Sequence, residues 1–156
     1  MPPKLKTKLI YATQENKINR FRHFFDSSSS DEQLAYTGLN RDLVTDIMSN
    51  LHVKIYSNFE KVLKHGEMCG HVYLVDKGEI NVIDSTGLFV IATLPRGSFF
   101  GEYQVIHALA SPFFYETGTA TVDERDEESG LKRSGHWLFS IEKEKFVKIM
   151  EKYPRF

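Results

Sequence analysis

The residues best placed to do chemistry lie at 99–106, FFGEYQVI, where a glycine and a carboxylate precede a run of helical spacing. A helix N-terminus leaves backbone N–H groups unpaired and carries partial positive charge, so a tight glycine turn opening a helix makes a cradle for an anion. The chemistry expected there is recognition of a phosphate or a sugar rather than bond cleavage. A short helix is predicted over Tyr103–Ala110. On these residues alone the cradle competes with a plainer reading, a turn whose acidic residue merely sits on the helix dipole. Catalytic or metal chemistry has less to work with: His23, His52, His65, His71, His107 and His136 are scattered, without a His-x-His pair or a Ser, His and Asp grouping. No metal and no resident cofactor are expected. Cys69, the single cysteine, excludes an internal disulfide and fits a reducing compartment.

The elements that must position the 99–106 turn read as helices, then strands, then a helix. Leu5, Leu9, Ile10, Ile18, Phe21, Phe24 and Phe25 fall at near-helical spacing, predicting one or two amphipathic helices. DSSSSDE at 26–32 breaks that pattern as a loop or linker. Asn40 suits a cap for a helix from Arg41 to about Leu51, with Leu43, Val44, Ile47, Met48 and Leu51 on one face. After His52, short runs rich in Val, Ile, Tyr and Phe alternate with Gly, Asn, Asp and Ser. Strands are predicted at Val53–Tyr56, Lys61–Lys64, Val72–Val75, Ile80–Ile83, Phe89–Thr93, Thr119–Asp123 and His136–Ser140, a cadence belonging to a sandwich, barrel or jelly roll. Glu142–Tyr153 then carries Phe146, Ile149 and Met150 at helical spacing before Pro154 ends it. The expected fold is α+β: an antiparallel β-roll (jelly roll) with N-terminal helices, a short helix inside the roll and a C-terminal helix. Residues 1–39 are expected to form linker helices and a loop, and 40–156 the roll domain.

Composition sets the outer limits. The 156 residues, 41% hydrophobic, suffice for one domain with a core, and twelve Phe and seven Tyr make that core aromatic. Formal net charge is −1, which gives the whole chain no attraction for nucleic acid. Residues 1–25 hold six Lys or Arg against one Glu, a basic arm that suits a membrane surface, an acidic neighbour or simply water. No apolar run approaches the ~20 residues that span a bilayer.

GEMCGHVYLVDKGEINVI at 66–83 and LPRGSFFGE at 94–102 together resemble the cyclic-nucleotide-binding domain family, which includes catabolite activator proteins, protein kinase A regulatory subunits and nucleotide-gated channels. Gly66, Tyr73 and Gly78 match the family's glycine-bounded hairpin and Gly97 a later turn, while Phe100, Gly101 and Glu102 match the entry to its phosphate-binding cassette. MPPKLKTKLI and RFRHFF look like the linker helices of voltage-gated-like cation channels, which favours the channel branch. TATV at 119–122 fits the strand after the cassette. The resemblance implies a regulatory domain at the cytoplasmic face of a membrane, not an enzyme, whose partners are other subunits or the transmembrane part of a parent channel. It makes Glu102 the acceptor for a ribose 2′-hydroxyl, with Gly101 and the Tyr103 amide along the sugar-phosphate and Thr119 donating to phosphate beside Gly118 and Ala120. Val82, Ala92 and Leu94 are placed near the base or in the pocket wall.

The sequence also departs from that family. Where tight binders carry an arginine for the cyclic phosphate, one or two residues before the small residue aligned with Ala120, this chain has Gly118 and Thr119. Losing a buried charged partner costs about 2 to 5 kcal/mol, roughly 30-fold to several thousand-fold in affinity. The ligand, cAMP or cGMP, is therefore expected to bind weakly or not at all; Arg96, Lys132 and Arg133 are the other candidate cations. On this alignment the cassette is long, seventeen steps from Glu102 to Thr119, and contains SPFFYETG. Phe113, Phe114, Tyr115 and Glu116 are expected either to fold back and fill the nucleotide pocket, as an intrinsic segment does in the ether-à-go-go class of potassium channels, or to form an exposed or partner-facing loop with some aromatics tucked against the core. The family continues past the position of Phe156 into a helix that closes over ligand, so the chain is expected to be an excised fragment. Two further classes compete: a docking β-roll of another signalling protein, and a cupin-like metalloenzyme, whose ligands the scattered histidines do not supply.

Overall fold

A computed structural model describes residues 38–119 and 135–153 together with Leu5 and Phe21. Helix α1 (Gly38–Ser49) leads into strands β1 (His52–Tyr56), β2 (Lys61–Leu63), β3 (His71–Lys77), β4 (Ile80–Ile83), β5 (Val90–Leu94) and β6 (Phe99–Phe100). Helix α2 (Glu102–His107), β7 (Phe114–Thr117), β8 (His136–Glu142) and α3 (Lys143–Lys152) complete the order. The strands form two antiparallel four-stranded sheets, β1-β8-β3-β6 and β2-β7-β4-β5. The fold is thus an antiparallel β-roll with helices, as its alternating short strands lead one to expect.

β3 explains how the layers stack. From Val72 to Lys77 every residue is buried, because a central strand covered on both faces has no solvent side for alternation to report. One face lines the roll, and α2 and α3 pack against the same strand. Phe21, fully buried, meets Phe139 of β8 edge-on at 5.9 Å, so part of the N-terminal segment belongs to the core. Leu43, Val44 and Ile47 of α1 are buried and Met48 and Leu51 pack against them, the face expected from their spacing. Asp46 of α1 accepts from the Tyr153 hydroxyl at 2.9 Å and pairs with Lys152 at 3.1 Å, tying α1 to α3.

Several local expectations need correction. α1 begins at Gly38, so Asn40 lies within its first turn rather than capping it. α2 spans Glu102–His107 rather than Tyr103–Ala110, because Ala108 adopts a left-handed conformation (φ 53°) and ends the helix. The glycine-bounded stretch around Gly78 is not a paired hairpin: β3 lies in one sheet and β4 in the other, and Gly78 (φ 89°) carries the chain across. Close packing there demands glycine, since a Cβ would sit 2.2 Å from His136 Nδ1.

The largest correction concerns 111–118. This stretch is not a loop insertion but contains a paired strand. Phe114–Thr117 is β7, paired with β4 on one side and β2 on the other. Tyr115 and Thr117 point inward and are buried, whereas Phe114 and Glu116 are half-buried, an ordinary strand alternation. Phe114 instead lies beside His65 and Lys61, whose ammonium stands 5.1 Å from its ring. The expected strand at Thr119–Asp123 falls, from Ala120 onward, outside the described residues, as do the loop expected at 26–32 and the charged stretch DERDEESGLKR at 123–133, which reads as a solvated hairpin loop.

Candidate functional site

The turn at 100–102 is built from both sheets. Phe100 pairs with Tyr73 across the β6–β3 ladder, and their rings stack at 5.0 Å. On its other face Phe100 stacks on Tyr115 of β7 at 4.4 Å and 6°. Tyr115 in turn lies opposite Val82 of β4, and Val82 opposite Ala92 of β5. A continuous aromatic stack, Tyr73–Phe100–Tyr115, therefore runs through the roll from one sheet to the other. Burial pushes the Tyr73 hydroxyl up to about 12, with the charges of Tyr56, Glu67 and Cys69 acting in the same direction.

Gly101 follows in a left-handed conformation, φ 93° and ψ −12°, at the N-cap of α2. A Cβ there would stand 2.8 Å from the His71 carbonyl oxygen, so both conformation and space require glycine. Its carbonyl accepts the first bond of the helix, from the Val105 N–H at 3.0 Å. Glu102 comes next, and its carboxylate oxygen Oε2 is buried with no hydrogen-bond partner. Burial raises its pKa above the usual carboxylate value, opposed in part by its own backbone N–H. Its charge in turn helps to raise the Tyr115 hydroxyl pKa, after burial and Cys69, so the two groups are within electrostatic reach. A buried acceptor without a donor costs free energy, and a ligand hydroxyl would satisfy it. Tyr103 is exposed, its ring tilted against His107 at 4.3 Å.

Phe100, Gly101, Glu102, Val82 and Tyr115 thus come together, with Ala92 and Leu94 following Val82 and Ile80 across the β4–β5 ladder. Gly118 belongs to a different corner. Its N–H donates to the Glu79 carbonyl at 3.2 Å, and its carbonyl accepts from His136 Nε2 at 2.9 Å. A Cβ on Gly118 would meet Glu79 Oε1 at 2.3 Å. Thr119 is exposed, and Ala120, Lys132 and Arg133 lie outside the described residues. Arg96 Nε donates to the Asp76 carbonyl at 2.9 Å.

With β7 starting at Phe114, the spacing from Glu102 to the next strand is twelve residues (114 − 102), shorter than the seventeen-step cassette read from the sequence. The residues just before that strand are Ser111, Pro112 and Phe113, again without an arginine. Ser111 is buried and holds this segment: its hydroxyl donates to the Phe113 carbonyl at 2.7 Å, its N–H to the Glu67 carbonyl at 2.9 Å, and its carbonyl accepts from Gly66 N–H at 2.8 Å. Met68 bridges Ala110 beside it. The sequence did not place Ser111 and Ser140 near this region, and it spoke of Cys69 only through the lack of a disulfide partner. Cys69 is buried, its thiol pushed up by burial and by Glu67. Ser140 lies opposite Tyr73 with its hydroxyl buried and unpartnered. A small residue in a strand and a lone cysteine give no signal of their own in a sequence.

Among the described residues no three metal-ligating side chains are grouped, and no helix there is long and apolar enough to cross a membrane. No family model matches the chain. It is 24% identical over 106 residues to a cyclic nucleotide-gated cation channel protein of Drosophila melanogaster, covering 68% of this chain and 14% of that one. A cyclic nucleotide-gated channel of Caenorhabditis elegans is 23% identical over 111 residues, 71% of this chain and 14% of the other. Cyclic nucleotide-gated channel alpha-4 of Mus musculus is 21% identical over 156 residues, 99% of this chain and 23% of that relative. The chain spans less than a quarter of the length of these relatives, and it is to this portion of cyclic nucleotide-gated channels that it is similar.

Proposed function

We propose that the chain is a cyclic-nucleotide-binding-type regulatory domain of a cation channel, lying at the cytoplasmic face of a membrane, and that it holds cAMP or cGMP weakly or not at all. The observation that carries this reading is the turn Phe100–Gly101–Glu102. It opens a helix inside a β-roll and presents a buried carboxylate oxygen without a donor, in a chain similar to cyclic nucleotide-gated channels. Glu102 would accept from a ribose hydroxyl, Gly101 would let the sugar-phosphate approach the backbone, and Val82 and Ala92 would stand on the base side. Weak grip follows from the lack of an arginine to neutralise the phosphate, both at Gly118 and Thr119 and at Ser111, Pro112 and Phe113, the residues that lead into β7. The partners of such a domain are the other subunits or the transmembrane part of its channel. Regulation then requires a ligand that favours one arrangement of the domain over another.

A second reading, a docking roll with a self-occupied pocket, is favoured by one observation: Tyr115 lies flat on Phe100 and takes up interior space. Calorimetric titration with cAMP and cGMP of the chain and of two arginine variants tests the first reading. Pro112→Arg is expected to tighten binding by roughly 30-fold or more, the lower end of a restored charge-assisted contact. Gly118→Arg is expected to gain nothing, because its side chain collides with Glu79. Tight binding by the unmodified chain, or a gain confined to Gly118→Arg, would overturn this account of the site.

A further inference from the structure

The turn at Phe100–Glu102 offers a ligand one hydrogen-bond acceptor and an apolar wall, and it surrounds both with negative charge. Glu102 Oε2 is buried without a donor, so it needs an N–H or O–H from whatever binds. Tyr115, Val82 and Ala92 lie opposite one another across β7, β4 and β5 and therefore share the face that looks into the roll. The fixed charges that reach the stacked tyrosines are carboxylates. Glu67 acts on the Tyr73 hydroxyl and Glu102 on that of Tyr115, and after burial each adds to the upward shift. The Glu102 carboxyl itself responds to burial and to its own backbone N–H, and no lysine, arginine or histidine among the described residues holds it down. Arg96 Nε is turned to the Asp76 carbonyl. Helix α2, with six residues, sums few peptide dipoles and gives little help to an anion at its start.

We infer that the ligand suited to this turn is an uncharged nucleoside rather than a cyclic nucleotide, which rests on the reading of the turn as a nucleotide-type site and narrows it. The ribose hydroxyl supplies the donor that the Glu102 oxygen lacks, and the base lies on the wall of Val82 and Ala92. A cyclic phosphate finds no cation to pair with and brings a negative charge toward a carboxylate. A like charge a few ångströms away in a partly dry site weakens binding about tenfold or more. A nucleoside keeps both favourable contacts and escapes that repulsion.

Titration of the full chain with adenosine and guanosine beside cAMP and cGMP, followed by amide shifts, is the test. At least one nucleoside is expected to reach its midpoint at a concentration about tenfold or more below that of its cyclic nucleotide, with shifts centred on Gly101, Glu102 and Val82. The 2′-deoxy form of that nucleoside is expected to bind about tenfold or more weakly, because the Glu102 oxygen is again left without a donor. Glu102→Gln keeps the shape and removes the charge, so it is expected to narrow the gap between nucleoside and cyclic nucleotide severalfold. Cyclic nucleotides that bind as well as their nucleosides, but only at millimolar levels, would overturn this inference and leave the weak regulatory site standing. Binding of none of the four would do the same. A nucleoside preference untouched by both the deoxy ligand and Glu102→Gln would also overturn it, since the contact would then lie elsewhere. Tight cAMP or cGMP binding at the turn would overturn both this inference and the reading of the site beneath it.

Discussion

Glu102 and His136 are both titratable groups held out of water, yet they bias stability in opposite directions with pH. Burial raises the Glu102 pKa from 4.5, so the folded chain holds that proton more tightly than the unfolded one. Its contribution is complete below pH 4.5 and is lost as pH rises through the folded value. Glu102→Gln should therefore melt higher than the parent at neutral pH, and the two melting curves should converge toward pH 4; equal melting at both ends would mean the carboxylate is not strained by burial. His136 is fully buried and its pKa is lowered from 6.5, first by burial and then by Lys77, against Glu79 and the Gly118 carbonyl. Its Nδ1 accepts from the Glu79 N–H at 3.1 Å, which assigns the proton to Nε2, facing the Gly118 carbonyl and Asn58 Oδ1. The neutral ring thus stabilises the fold above about pH 6.5, and this contribution fades as pH falls through the folded value. His136→Gln should flatten the loss of stability on acidification below pH 6.5; an unchanged acid limb would place the titrating group elsewhere.

At the scale of elements, β7 decides the geometry of the site. Tyr115 closes the aromatic stack, so Tyr115→Ala should cost about 3 to 5 kcal/mol, as large aromatic truncations in cores do. Urea unfolding measures it, and a loss under about 1 kcal/mol would mean the ring is not packed as its 4.4 Å stacking on Phe100 requires. This strand is also the least legible element. Pro112 followed by three aromatics and a glutamate reads as an irregular insertion, and in a four-residue strand the alternation of Tyr115 and Thr117 against Phe114 and Glu116 is too brief to stand out. With TATV read as the strand after the cassette, the preceding residues look surplus. By contrast α1, β4 and α3 are legible, because Leu43, Val44 and Ile47, then Ile80 and Val82, then Phe146 and Ile149 each repeat the period of their element and are buried. The crossing at Gly78 is half legible: glycine announces a turn, whereas which sheet the chain enters next depends on long-range pairing with β7 and β8 that no local pattern encodes.

At the scale of the whole molecule, strands of both sheets and the aromatic stack Tyr73–Phe100–Tyr115 meet at the Phe100–Glu102 turn, the place proposed to receive a sugar hydroxyl. Glycine spacing in the sequence points to Phe100–Glu102, whereas the burial of the Glu102 oxygen depends on long-range packing that no local pattern encodes. The most direct test of this picture is a titration of the chain with cAMP followed by amide chemical shifts. The expected result is a response centred on Gly101, Glu102, Tyr103 and Val82 that stays unsaturated until the nucleotide reaches millimolar levels. A midpoint below about 100 µM, better than roughly −5.5 kcal/mol, or shifts confined to residues remote from that turn, would contradict it.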